Sequence, residues 1–401
     1  MDQSEGFRFD YAAPTLCYGR GAVDDLGTEL AGLDCDRTLV VCGRTVGDTP
    51  AVMDPVRAGL GDRLVGVFAG TTPEKRLDTA VACAERMRAA DVDALVGVGG
   101  GSSLDVAKVA SVLAAAEEGP EVAAERLAAS GAIGVPADVV PLAAVPTTLA
   151  GADLSTLAGI TLDPAGGPDD RPETGGVGDP ALMPDVAVYD PHLVATTPRG
   201  VLAGSALNGF DKGIETLYAR NWTPITDATA VRGLELLRDG LPTLRAPDSN
   251  DWDLDAILQG IVLVQYGISR ADGTTLSVIH ALGHGLRAHG GVQQGVAHAV
   301  VAPHALDWLF ERVDGRRDLL ADALGVPAGS PDERADGVVS VVRELRDELS
   351  LPAHLRDVEG VERSQFDAIA ETTAQDYLLA NAPEGLDTSA EEFRTVLDAA
   401  W

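Results

Sequence analysis

His280, His284 and His298 fall close together in the run IHALGHGLRAHGGVQQGVAHAVVAPH, and the spacing of four between the first two puts them on one helical face. An imidazole titrating near neutrality can exchange a proton with a substrate hydroxyl, so the trio are candidates for acid–base work. The alternative is that they are satisfied core residues; His192, His289 and His354 carry no assignment. A second group lies in ALVGVGGGSSLDVAKVASVLAAA, where a buried strand ending at Val98 is followed by Gly99, Gly100, Gly101, Ser102, Ser103 and a helix. Glycines let backbone N–H groups approach an anion, either serine can cap the helix, and the helix N-terminus favours a pyrophosphate. On the glycines alone, a tight turn without a ligand explains the run equally well. A third signal is scarcity: Lys75, Lys108 and Lys212 are the only lysines, every other basic residue being Arg.

The longer run GGGSSLDVAK resembles the GGGSxxDxAK signature of the iron-containing alcohol dehydrogenase superfamily, with Asp105 and Lys108 both in place. YGRGAVDDLGTEL at 18–30, VPTTLAGADLSTLAGIT at 145–161 and VAVYDPHLVATTP at 186–198 follow in that family's order, so the resemblance covers nearly the whole chain. It implies a nicotinamide cofactor, NAD or NADP, with Thr147 and Thr148 along it and Asp105 near its nicotinamide end. Many relatives carry an Asp where Gly43 stands, a carboxylate that would accept from the adenosine ribose and repel a 2'-phosphate. Gly43 followed by Arg44 makes NADP admissible, because a guanidinium pairs with phosphate, unless Arg44 is only a solvated loop charge.

In metal-dependent relatives an Asp and three His hold one divalent cation. SALNGFDKGIETLYA and the histidine run place Asn208 at the Asp, Lys212 at the first His, His280 at the second and Gln294 at the third. Only His280 is a good ligand, so no metal is expected; Fe or Zn, held in a shifted register by Asp211, Glu215 and His280, is the minority reading. Lys212 stands where kin place the cation, and its ammonium can donate to a carbonyl oxygen and stabilise alkoxide charge as hydride arrives. Its alternative is a helix-surface salt bridge to Glu215.

TLAGADLST, TGGVGDPALMPDVAVYDP, ETLYA and GVAHAVVAPHAL resemble the maleylacetate reductase branch, whereas LDVAK follows the alcohol dehydrogenase pattern. The expected function is hydride transfer between NAD(P)H and a small carbonyl or alcohol substrate, in a cleft between two domains, with Lys212 as electrophile. Alternatives are maleylacetate-type reduction of an unsaturated keto acid, a lyase on the same fold, or a non-catalytic nucleotide-binding protein.

These residues need elements to position them. From about Arg37 to Pro191, TLVVCG, RLVGVFAG, DALVGVGGG, VPLAAVPTT and VAVYDP alternate with helix-like runs, predicting an α/β dinucleotide-binding domain with a parallel sheet over residues 1–190. ATAVRGLELLRDGL, DAILQGIVLVQYGI and GVVSVVRELRDEL space apolar residues at three and four, predicting an all-α domain over 191–401. Together these are the dehydroquinate synthase-like arrangement that the resemblance implies. DPAGGPDDRPETGGVGDP, residues 163–180, predicts an exposed loop without a regular element.

A balance of 62 acidic to 30 basic residues gives a net charge of -32, which repels phosphate backbones and anionic membranes, so neither nucleic acid nor membrane is an expected partner. An acidic, lysine-poor chain resembles proteins of salt-adapted organisms. Cys17, Cys35, Cys42 and Cys83 lack CxxC spacing and read as buried thiols. With no leader-like N-terminus and no apolar run long enough to span a bilayer, a cytoplasmic protein is expected, and by resemblance a homodimer or larger assembly.

Overall fold

The computed structural model describes residues 6–163, 173–271 and 273–401. The five predicted apolar runs form strands β2 (Thr38–Gly43), β3 (Leu64–Thr71), β4 (Ala94–Gly99), β5 (Leu142–Pro146) and β8 (Val186–Tyr189) of one sheet, and β1 (Thr15–Tyr18) joins them. Every pairing is parallel, in the order β1-β8-β5-β4-β2-β3. Leu39, Val41 and Leu95 enter one apolar core with the helices Leu77–Ala89, Gly101–Ala115 and Pro120–Ser130. Val40, Cys42, Val96 and Val98 enter a second core on the opposite face, under the helix Pro50–Leu60. Burial on both faces is why these strands read as unbroken apolar runs rather than alternating ones.

β6 (Leu157–Asp163) and β7 (Glu173–Gly178) form a separate antiparallel pair. The expected structureless loop over 163–180 is therefore corrected at its C-terminal part. The segment TGGVG gains partners on both sides: β6 on one, and on the other the Gly131 carbonyl, which accepts from Gly176 N–H at 2.9 Å. Residues 164–172 of that run lie outside the described residues.

The chain groups into one unit of Ala12–Thr197 and another of Pro198–Trp401 together with the N-terminal residues up to Tyr11. This moves the expected 190/191 boundary. The short helix Pro191–Val194 stays with the sheet, and Thr197 Oγ1 donates to the Thr147 carbonyl at 2.7 Å. Tyr11 belongs with the helices because its ring meets Tyr266 edge-on at 4.9 Å between centroids.

The second unit is helical apart from one short antiparallel pair, Ser269–Arg270 with Gly273–Thr274, a small departure from the all-α expectation. Its central helix, Arg199–Tyr218, is buried along almost its whole length, and Pro224–Gly240, Leu254–Gln265 and Gln294–Arg312 pack on it. Gln294–Arg312 meets it through paired glycines: a Cβ at Gly295 would lie 1.7 Å from the Gly204 carbonyl oxygen, so the two backbones are in contact. Val278–Gly290 packs on Gln294–Arg312 in turn. Among the described residues no helix is long and apolar enough to cross a membrane.

Candidate active site

The glycine loop is built by the end of β4. Gly99 adopts φ 131°, a conformation that L side chains rarely take, and Gly100 caps the Gly101–Ala115 helix in extended conformation. Thr147 N–H donates to the Gly99 carbonyl at 2.9 Å, and a Cβ at Gly100 would sit 3.2 Å from Thr148 Cγ2. Gly99, Gly100, Gly101, Thr147 and Thr148 therefore form one neighbourhood at the helix N-terminus, where partial positive charge suits a phosphate.

Neither serine caps the helix, contrary to expectation. Helix geometry begins at Gly101, which places Ser102 and Ser103 inside the first turn, and Ser103 Oγ instead meets Thr71 Oγ1 at 2.9 Å. Asp105 is ion-paired with Lys75. Lys108 is buried and donates to the carbonyls of Ala152, at 2.8 Å, and Ser155, so it holds the segment after β5. At the end of β2, Gly43 is extended (φ −76°, ψ 159°), and exposed Arg44 opens a single helical turn. A Cβ at Gly43 would lie 3.3 Å from the Thr71 carbonyl oxygen, so a side chain there requires a small yielding of the neighbouring strand.

The helical unit brings most of the other predicted residues together. Arg199–Tyr218 carries Asn208, Asp211, Lys212 and Glu215; Val278–Gly290 carries His280 and His284; Gln294–Arg312 carries Gln294 and His298. His280 is clamped from both sides, with Nδ1 on Glu215 Oε2 at 2.5 Å and Nε2 facing Asn208 Oδ1 at 3.1 Å. Glu215 Oε1 also accepts from the backbone N–H groups of Ile279 (2.7 Å) and His280 (3.1 Å) and from the Tyr218 hydroxyl (3.1 Å). One fully buried carboxylate thus ties the central helix to the start of the next and fixes a histidine ring.

That arrangement corrects two expectations. Lys212 is not a helix-surface lysine: it is buried, and its ammonium donates to Gln265 Oε1 at 3.3 Å. Nor do Asp211, Glu215 and His280 assemble as an oxygen-rich metal site, because Glu215 holds the Nδ1 side of His280 while Asp211 faces His298 at 3.3 Å. The rings of His280 and His298 meet edge-on with centroids 4.4 Å apart. A Cβ at Gly283 would fall 2.4 Å from His298 Nε2 and 3.5 Å from Gln294 Cγ, which places Gln294 beside the same pair. His284, farther along its helix, is bonded through Nδ1 to Asp376 Oδ2 at 2.7 Å. Gln265, Tyr218 and Asp376 were not singled out as parts of a site from the sequence, and Glu215 was weighed only as a metal ligand or a partner of Lys212; their contacts across the helices reveal these roles.

Burial governs the titration of this cluster. It lowers His280 well below the usual imidazole range, helped by His298 and Lys212. It holds His298 down at about 3, against the opposing pull of the Glu215 charge. It raises Asp211 well above the carboxylate range, with the Glu215 charge adding to the effect. The Asp211–His298 contact is too poorly aligned to be a hydrogen bond: among the described residues neither Asp211 oxygen and neither His298 nitrogen has a partner. A neutral acid beside a neutral imidazole is the low-cost state for such a pair.

A parallel doubly covered sheet with a glycine-opened helix, followed by a helical unit that gathers a lysine and three histidines, is the architecture of a two-part dinucleotide-binding fold. The chain matches the family described as iron-containing alcohol dehydrogenase over residues 13–191, and the C-terminal region of the Fe-containing alcohol dehydrogenase family over residues 202–401. It belongs to the iron-containing alcohol dehydrogenase family, near the maleylacetate reductase branch. Maleylacetate reductase 1 of Cupriavidus pinatubonensis is 27% identical over 88% of this chain and 86% of its own length. The 4-hydroxybutyrate dehydrogenase of Cupriavidus necator is 30% identical over 94% and 96%. The crystal structure of maleylacetate reductase from Rhizobium sp. strain MTP-10005 shares the fold, with a TM-score of 0.77 at 24% identity over 99% of this chain and 98% of that one.

The family's name implies iron, and the residues present do not fit it. Of the four positions corresponding to the ligand set, only His280 offers an imidazole. Asn208 and Gln294 are neutral amides, and the Lys212 ammonium would repel a cation.

Proposed function

We propose that the chain catalyses reversible hydride transfer between NAD(P)H and a small carbonyl or alcohol substrate without a divalent metal, with Lys212 as the electrophile. NAD(P)H, when bound, supplies the hydride. The amides at Gly100–Ser102 and the Gly101–Ala115 helix N-terminus bind the pyrophosphate, and Thr147 and Thr148 line the cofactor. Lys212 donates a hydrogen bond to the carbonyl oxygen and stabilises the alkoxide charge that grows as hydride reaches carbon. His280 is held in one orientation by Glu215, and Gln265 steers the ammonium. A fixed cation also favours substrates that carry a carboxylate, such as a keto acid of the maleylacetate type, over simple alcohols.

The observation that carries this reading is the burial of Lys212 next to the histidine cluster: its ammonium donates to Gln265 Oε1 at 3.3 Å, and its charge helps to hold His280 below the usual imidazole range. Gly43 and exposed Arg44 support acceptance of NADP as well as NAD. The test is Lys212→Met, assayed by NAD(P)H oxidation with keto acids and aldehydes. Turnover falls by about a hundredfold or more with cofactor affinity unchanged; unchanged turnover would exclude Lys212 as electrophile.

A further inference from the structure

Hydride transfer to a carbonyl leaves an alkoxide that must gain a proton, and the three clustered histidines differ in their access to one. His280 and His298 side chains are 3% and 0% exposed, whereas that of His284 is 36% exposed. Only His284 can trade a proton with bulk water without opening the fold. Its Nδ1 lies 2.7 Å from Asp376 Oδ2, and that carboxylate side chain is 10% exposed.

Asp376 is itself fixed. It caps the short helical turn Tyr377–Asn381, Oδ1 accepting from Leu378 N–H at 2.9 Å, so Oδ2 is the oxygen left for the ring. The turn is anchored in its own right: Leu378 is fully buried, and Asn381 Nδ2 donates to the Leu276 carbonyl at 2.8 Å. A carboxylate held in this way accepts from Nδ1–H and so selects the neutral tautomer that presents a lone pair at Nε2.

We infer that Asp376 is a positioning residue for the reaction: it sets the tautomer of His284 and makes His284 Nε2 the atom through which the substrate's proton exchanges with water. In reduction, hydride from NAD(P)H forms the new C–H bond, the carbonyl π pair becomes the alkoxide lone pair, and the Nε2–H proton of the His284 imidazolium ends on oxygen. Solvent water then returns a proton to Nε2. Oxidation runs the same steps backwards, Nε2 taking the hydroxyl proton. The inference rests on the hydride-transfer reading above.

The test is Asp376→Asn, nearly isosteric and still able to accept from Leu378 N–H, with Asp376→Glu alongside. Nitrogen-15 NMR of the histidine rings reports the tautomer directly and needs no activity. Wild type shows His284 protonated at Nδ1; D376N shows a shift towards Nε2–H, and D376E retains the wild-type pattern in part. With a substrate in hand, D376N lowers kcat about a hundred- to ten-thousandfold, the range of a general acid–base contribution, with the cost of a wrong catalytic tautomer at its upper end. KM and NAD(P) affinity change less than about threefold, and D376E restores part of the rate. A tautomer unchanged in D376N, or a changed tautomer with wild-type kcat, overturns the inference. Should D376N fail to fold, an Nε2–H tautomer of His284 in wild type overturns it equally. Absence of NAD(P)H oxidation by wild type with every carbonyl tried defeats the hydride-transfer reading instead, while the NMR result still decides the Asp376–His284 relation.

Discussion

At the scale of single residues, the lysines show how selective this chain is. Lys75 pairs with Asp105, Lys108 secures the carbonyls of Ala152 and Ser155, and Lys212 lies buried against Gln265. Each makes a defined contact in the fold, and only Lys212 was assigned a role from the scarcity of lysine. The carboxylates were not legible. Glu215 reaches His280 across 65 residues and Asp376 reaches His284 across 92, and no local periodicity encodes such pairings. The buried histidines also make a pH prediction. His298 titrates at about 3 in the folded chain against 6.5 when free, so between those values the unfolded chain binds a proton that the native chain does not. Its contribution to stability is complete above pH 6.5 and is lost as pH falls towards 3, at up to about 1.4 kcal/mol per pH unit. Denaturant titrations of wild type and His298→Gln at several pH values should show their stability difference moving in favour of the variant on acidification; a pH-independent difference would mean that His298 titrates normally.

At the scale of elements, strands buried on both faces announced themselves. β2, β4, β5 and β8 carry enough consecutive apolar residues to be read directly. β1 was missed because TLCY is short and sits at the sheet edge, with Leu16 and Tyr18 38% and 40% exposed. β7 was missed because Gly-rich TGGVG offers the core only one apolar side chain, that of Val177. The helices were visible by periodicity, but the crossing that fixes the histidine cluster was not: it depends on the close approach of the Gly204 and Gly295 backbones. Gly295→Ala would thrust a methyl to within 1.7 Å of a carbonyl oxygen that no side-chain rotation can relieve. It should cost about 3 kcal/mol or more. Gly200→Ala, on the same central helix with no neighbour within 4 Å, should be neutral or stabilising by up to about 1 kcal/mol. Chemical denaturation of the two variants checks the contrast; equal effects would contradict the packing described.

At the scale of the whole molecule, charge dominates. A formal charge of -32 on 401 residues opposes compaction, and added salt screens that repulsion over about 10 Å at 0.1 M and about 3 Å at 1 M. Melting temperature should therefore rise monotonically from low salt to molar KCl, with NaCl giving a similar gain; a melting temperature insensitive to salt would show that the acidic surface is already neutralised by its arginine pairs. The two-unit organisation followed from the switch between alternating strand–helix runs and purely helical ones. Its boundary did not, because Pro191–Val194 looks helical in isolation yet packs with the sheet.

The central claim is that an ammonium does here what a divalent cation does in metal-dependent kin. Elemental analysis of the purified protein, paired with turnover before and after exhaustive chelation, addresses it most directly. Substoichiometric iron and zinc with turnover unchanged by chelator is the predicted result. One equivalent of either metal per chain, with activity lost on its removal and restored on its return, would contradict it.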